Sequence, residues 1–491
     1  MTLVILKRKL ALAALVAAGL AACDKDPSGP APAVFSLTAC PTGNLPANAP
    51  ITLNFTQAVS PSTVSGANVI VTNATTGFEI PGGLSLAGNG QQIVFTPSAP
   101  LPFGETLSIR VQNLLSVDGT TPLSVRVCNV LTEAAPITQV YWDQIPRATG
   151  GLLTGVSMFS PDSGWVAANQ VPLYRRVGDR WEVRFNQPYF AASYDVDFVS
   201  SQHGWGSHFD TRNSRGVITH STDGGLTFDT VFTIPSQLIT RLRADSAATG
   251  KLFGVGGGGS FAQATFYKLN PSNDTWRTTQ TLSNGFGASG YSSVSDIDYV
   301  ASDTNDVVAT SRGVRINGST VIFIPGRIYR STNAGEAWTE IAGTAADSGK
   351  VVSYEGVARR SNGDIWVVGG NGFLGRIANG TTTLTRVNLG IPTRDSTDYQ
   401  ALIYYDVQFA PGNDKVGWVV GSYVTQVQNG EPRRIGLIFG TTDGGTTWTR
   451  QGVRGAESYG ATFPALQRIE AYSATSAWAV GEGGVVLSFH P

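Results

Sequence analysis

Between residues 33 and 133, apolar and polar side chains alternate in short runs separated by Gly, Pro, Asn and Asp. In residues 106–111, Leu107, Ile109 and Val111 share one face of an extended strand, and Thr106, Ser108 and Arg110 share the other. Comparable runs at 34–38, 51–55, 68–72, 92–95 and 123–130 predict a sandwich of short strands. After residue 140 the pattern changes to strands that are apolar on both faces. They read S-G-W-V-A (163–167), H-G-W-G-S (203–207), K-L-F-G-V-G (251–256), D-V-V-A-T (306–310), D-I-W-V-V-G (364–369), V-G-W-V-V-G (416–421) and S-A-W-A-V-G (476–481).

A second repeat alternates with the first. S-T-D-G-G-L-T-F begins at Ser221, S-T-N-A-G-E-A-W at Ser331 and T-T-D-G-G-T-T-W at Thr441, each 110 residues after the last. Seven apolar strands over the 356 residues of 136–491 give about 51 residues per unit, a period expected of propeller blades. Nine of the ten tryptophans fall on one or other repeat; the exception is Trp142. Its surroundings, Trp142-Asp143-Gln144-Ile145, match Trp338-Thr339-Glu340-Ile341, an outer strand. The chain ends where a last outer strand is due. Residues 140–145 are therefore expected beside 485–488, closing the ring and removing its open edges. The predicted fold is all-β: an N-terminal β-sandwich (33–133) followed by a single seven-bladed β-propeller (136–491).

The N-terminus joins Lys7-Arg8-Lys9 to an apolar run of thirteen residues ending at Ala22 and Cys23. That is the layout of an export signal, and it is too short for the ~20 residues of a spanning helix. Leu20-Ala21-Ala22-Cys23 resembles the lipobox of bacterial lipoproteins. The resemblance implies cleavage after residue 22, lipidation of Cys23, a tether over 23–32, and membrane attachment at the cell envelope, on its periplasmic or outer side. Loss of 1–22 leaves 31 Lys and Arg against 35 Asp and Glu, a net of −4, so nucleic acid is not an expected partner. Cys40 and Cys128 are the remaining cysteines, and in an oxidising compartment they are expected to pair.

The pieces at 50–59, 93–107 and 118–123 resemble bacterial Ig-like domains of surface proteins, which implies an N-terminal Ig-like β-sandwich over 33–133. The 110-residue repeat resembles the Asp-box of neuraminidase-type propellers, which implies that Asp223, Asn333 and Asp443 cap hairpin turns. Asn333 would make the weaker copy, because Ala337 also replaces its hydroxyl partner. Residues 136–491 as a whole resemble propellers of the photosystem II stability and assembly factor-like family. That resemblance implies the fold and leaves function open, because propellers carry many unrelated activities.

Candidate chemistry is sparse. A sialidase on this fold has an R-I-P motif, which is absent; Gln144-Ile145-Pro146 and Phe323-Ile324-Pro325 lack the arginine. His203, His208 and His220 would be scattered by strand geometry, so neither metal nor cofactor is expected. Tyr and Arg, the residues enriched at binding hot spots, collect in the loops before the innermost strands. Arg394, Tyr399, Arg454 and Tyr459 are the expected contacts to a protein or glycan partner. The expected function is a binding or assembly scaffold without catalysis; the alternative is a carbohydrate-active enzyme, sialidase-like or glucanase-like.

Overall fold

The computed structural model describes residues 34–74, 77–133, 135, 139–169, 171–185, 190–244, 252–257, 263–270, 275–283, 290–300, 302–317, 320–342, 353–391, 402–425, 433–454 and 463–491. Its regular elements are strands and three short 3-10 turns. The signal segment and Cys23 lie outside the described residues.

The first hundred described residues form two facing four-stranded sheets. One contains Leu37–Ala39, Ile51–Phe55, Gln92–Pro97 and Gly82–Ala87, and the other Asn44–Leu45, Arg126–Thr132, Thr106–Val111 and Val69–Asn73. Leu107, Ile109 and Val111 point into the shared core with Leu53, Phe55, Val71 and Ile93, as the alternation predicts. Cys40 and Cys128 are disulfide-bonded. Leu37–Ala39, which precedes Cys40, and Arg126–Thr132, which holds Cys128, lie in opposite sheets, because the chain changes sheet between Ala39 and Asn44. The disulfide therefore spans the sandwich at that crossover. Gly82–Ala87 is a strand beyond those that the alternation predicts.

The remainder builds seven four-stranded units, among the described residues, which we number as blades in chain order. Their innermost strands are Leu153–Ser160, Phe190–Phe198, Leu238–Ala244, Gly290–Val300, Tyr354–Arg359, Leu402–Ala410 and Leu466–Ser473. The apolar repeats form the second strand of each blade. The fourth strand of blade 7 is Gln139–Ile145, antiparallel to Val486–Phe489 with Leu487 opposite Gln144 and Phe489 opposite Trp142. The same strand also runs parallel to Thr449–Val453 of blade 6, so blades 6 and 7 share one continuous sheet. Trp142 is buried and its Nε1 donates to Gln451 Oε1 at 2.9 Å.

Packing lies between blades. Trp165 and Phe198 stack across blades 1 and 2, with centroids 4.3 Å apart. Tyr354 joins Val308 across blades 4 and 5, and Trp478 joins Val156 and Val166 of blade 1 across the ring closure. Gly390, in the loop leaving blade 5, accepts the Ala135 amide at 2.6 Å, and a Cβ on Gly104 would fall 2.4 Å from the Gly390 backbone. The sandwich therefore meets the propeller backbone to backbone.

Candidate functional site

Each innermost strand directs two alternate positions at the central channel, and these form two stacked layers. Going round from blade 1, the upper layer is Gly155, Asp195, Arg241, Asp296, Gly356, Asp406 and Arg468. The lower layer is Ser157, Asp197, Arg243, Asp298, Ala358, Gln408 and Glu470. An innermost strand has one edge without a ladder partner, and its amides need acceptors. The preceding blade supplies them. Asp195 Oδ2 accepts from the Leu242 amide (2.9 Å) and Asp197 Oδ2 from that of Ala244 (2.6 Å). Asp296 and Asp298 serve Val357 and Arg359 at 2.9 and 2.8 Å, and Asp406 and Gln408 serve Ile469 and Ala471 at 3.1 and 2.5 Å. Ser157 Oγ does the same for Phe198 at 2.9 Å. Carbonyls are met one step upstream: Thr154, Thr240 and Ser295 donate to Ser193, Val294 and Tyr354 at 2.7, 2.6 and 2.8 Å.

Arginines complete the plug. Arg241 lies 3.1 Å from Asp195, 2.9 Å from Asp296 and 3.7 Å from Asp406. Burial disfavours its charge, but these three carboxylates hold its pKa above the ordinary arginine value. In the lower layer Arg243 stands 3.3 Å from Asp298 and 3.6 Å from Glu470. Burial pushes Asp197 and Asp298 up to about 6 and Glu470 to about 7, with Arg243 opposing it. Asp406 also rises to about 6, through burial and then the nearby charge of Asp296.

The two mouths differ. Below the lower layer opens a cavity of about 620 Å³, lined by six blades, with Phe198, Tyr299 and Phe409 as walls and Asp298, Arg243 and Glu470 in the floor. At the other mouth, Arg468 of the upper layer donates from Nη1 to the Tyr405 carbonyl at 3.4 Å while its Nε is buried without a hydrogen-bond partner among the described residues. Burial and then Arg241 lower its pKa. Arg434 donates to Tyr405 Oη at 2.8 Å, and Arg312 lies 3.5 Å from Glu355. This mouth is rich in Arg and Tyr.

Of the residues expected to bind, Arg394, Tyr399 and Tyr459 lie outside the described residues. Arg454 is exposed at the end of the blade 6 outer strand, 2.7 Å from Asp143. Asp223 accepts from the Thr227 amide at 3.0 Å and its hydroxyl at 2.7 Å, and Asp443 from Thr447 at 2.9 and 2.6 Å. These bonds hold both carboxyls at about 2. Asn333 keeps the amide bond, to Ala337 at 2.9 Å, and has no hydroxyl there to accept from. Each turn leans on the preceding blade: a Cβ on Gly225 or Gly445, both at positive φ, would strike Trp165 or Trp366 at 2.0 or 2.4 Å. His208 is enclosed between Ser193 and Thr219, each 2.9 Å away, and burial takes it down to about 3. His220 stacks on Trp205. No cluster suited to a metal occurs among the described residues.

The two layers carry a signal that the reading of repeats passed over. Asp195-Val-Asp-Phe198, Asp296-Ile-Asp-Tyr299 and Asp406-Val-Gln-Phe409 are one pattern, and Arg241-Leu-Arg-Ala244 and Arg468-Ile-Glu-Ala471 are its charge-reversed or mixed counterparts.

The fold and site define a bacterial Ig-like domain followed by a β-propeller with a plugged channel. Residues 30–121 match the family model of the bacterial Ig-like domain. No curated protein matches the chain by sequence. Among solved structures, an ancestral GH74 enzyme is 16% identical with a TM-score of 0.51, over 72% of this chain and 46% of that one. YCF48 from Cyanidioschyzon merolae is 15% identical with a TM-score of 0.47, over 72% and 99%. Saccharomyces cerevisiae Sqt1 is 10% identical with a TM-score of 0.43, over 72% and 99%. Among the described residues no helix is long and apolar enough to cross a membrane.

Proposed function

We propose that this chain is a non-catalytic binding or assembly scaffold of the cell envelope, anchored by a lipid on Cys23, with Asp-box turns bracing its blades. The observation that carries the reading is the plug. The upper-layer carboxylates each accept a backbone amide of the next blade and face a shared arginine, so their lone pairs are committed to holding blades together. The partner surface is the mouth reached by the loops before the innermost strands. The contacts expected from the sequence, Arg394, Tyr399, Arg454 and Tyr459, would act with Arg434, Arg468 and Tyr405 of this mouth in offering guanidinium groups and aromatic faces to an acidic protein or glycan. The test is recovery of partners from envelope extract by the wild-type chain and by a folded variant with those four loop residues changed to Ala. The variant should lose the partner; undiminished recovery places the surface elsewhere.

A second reading, a glycoside hydrolase, draws on Asp298 and Glu470, which burial raises to about 6 and 7, the range in which a general acid keeps its proton. It requires turnover of a β-glucan or sialoside, lost in Glu470→Gln. The scaffold reading expects no turnover by either protein.

A further inference from the structure

We propose that the cavity at the lower mouth is a binding site for an organic cation, the ammonium or guanidinium of a Lys or Arg side chain presented by a peptide. The cavity's volume, about 620 Å³, is within the range of built ligand sites. It lies at the opposite end of the channel from the Arg-rich mouth and does not depend on what binds there.

The charges in its floor do not balance. Asp197, Asp298 and Glu470 surround one guanidinium, that of Arg243. The other arginine in the wall, Arg359, is turned away onto Asp306, which Arg330 also holds at 2.7 and 2.8 Å. Glu470 receives its bonds on one oxygen: Gln408 Nε2 donates to Oε2 at 3.2 Å, and Arg243 faces the same atom. Unlike the upper-layer Asp296 and Asp406, whose side chains are 4% exposed, the Asp298 and Glu470 side chains are 13% and 21% exposed and reach the cavity. Asp414 stands at the rim, oriented by the Ser361 hydroxyl and the Asn362 amide.

A second cation entering beside Glu470 would meet the carboxylates that Arg243 leaves uncompensated. The alkyl stem behind it would lie along the apolar wall to which Phe198, Tyr299, Phe409 and Ala410 contribute. An anion is excluded by the same field.

The test is calorimetric titration of the full chain with acetylated, amidated tetrapeptides Gly-Lys-Lys-Gly and Gly-Glu-Glu-Gly, with spermidine as a third probe. The lysine peptide should bind and weaken as salt is raised, and the glutamate peptide should not bind. Spermidine matching the lysine peptide keeps the cation site and makes a free amine its ligand. Glu470→Gln, which keeps the Gln408 bond, should raise Kd at least tenfold. Ser302→Lys, an exposed rim change remote from the plug, should raise it at least fivefold, so the site stays testable if the first variant folds poorly. Equal binding of both peptides, or a Kd within twofold of wild type in both variants, overturns the proposal. Partner recovery from envelope extract reports on the other mouth and is independent of either result.

Discussion

Single residues in this protein act across blade boundaries. Gly445 has φ 87° and sits against Trp366 of the preceding blade, so Gly445→Ala adds both a strained backbone and a clash. We expect a loss of more than about 2 kcal/mol in denaturant unfolding, whereas Gly412→Ala, also at positive φ but with open space around it, should cost less. The channel carboxyls set the response to pH. Asp197, Asp298, Asp406 and Glu470 titrate at about 6 to 7 in the folded chain, above their unfolded values near ~4. Protonation therefore favours folding, and this contribution is complete below about pH 4 and lost as pH rises through 6 to 7. Asp223 and Asp443, held at about 2, contribute above about pH 4 and lose that contribution as pH falls towards 2. The thermal midpoint should be higher at pH 5 than at pH 7.5 by a few degrees, and should fall again below pH 4. A midpoint that rises steadily to pH 7.5 would contradict the buried-carboxyl account.

Strands and turns were the most legible level. The tryptophan repeat marks the second strand of a blade because that strand is buried on both faces, and the hairpin repeat marks a turn whose glycine must pass under an aromatic ring of the preceding blade. The closing strand was legible because Trp142 had the context of an outer strand with no blade before it. The channel layers were missed because an Asp-apolar-Asp segment reads as an exposed alternating strand, and nothing local says that its polar face looks into a channel. The sheet crossover before Asn44 was missed for a related reason: two residues of pairing leave no periodicity. Two predictions belong here. Trp142→Ala removes a buried ring at the shared edge of blades 6 and 7 and should cost about 3–5 kcal/mol of propeller stability. Reducing the Cys40–Cys128 disulfide, which closes 88 residues, should lower the sandwich transition in calorimetry by about 4 kcal/mol and leave the propeller transition in place. A single transition shifted as a whole would mean that the two domains unfold together.

At the scale of the whole molecule, a ring of sheets is sealed by one continuous arrangement. Apolar cores lie between neighbouring blades, and polar side chains stitch the inner edges where those cores end. This leaves two mouths of opposite character, one offering arginines and tyrosines, the other carboxylates over aromatic walls. The central claim is that the channel acids hold the ring together instead of doing chemistry. Asp296 is the best place to test it, since it accepts the Val357 amide and faces Arg241, and its removal would leave both buried without it. The measurement is the unfolding free energy of Asp296→Ala. Loss of about 3 kcal/mol or more is the result expected for one partner removed from a buried network. A variant as stable as wild type, or more stable, as happens when an acid is kept for activity at the expense of stability, would contradict the account.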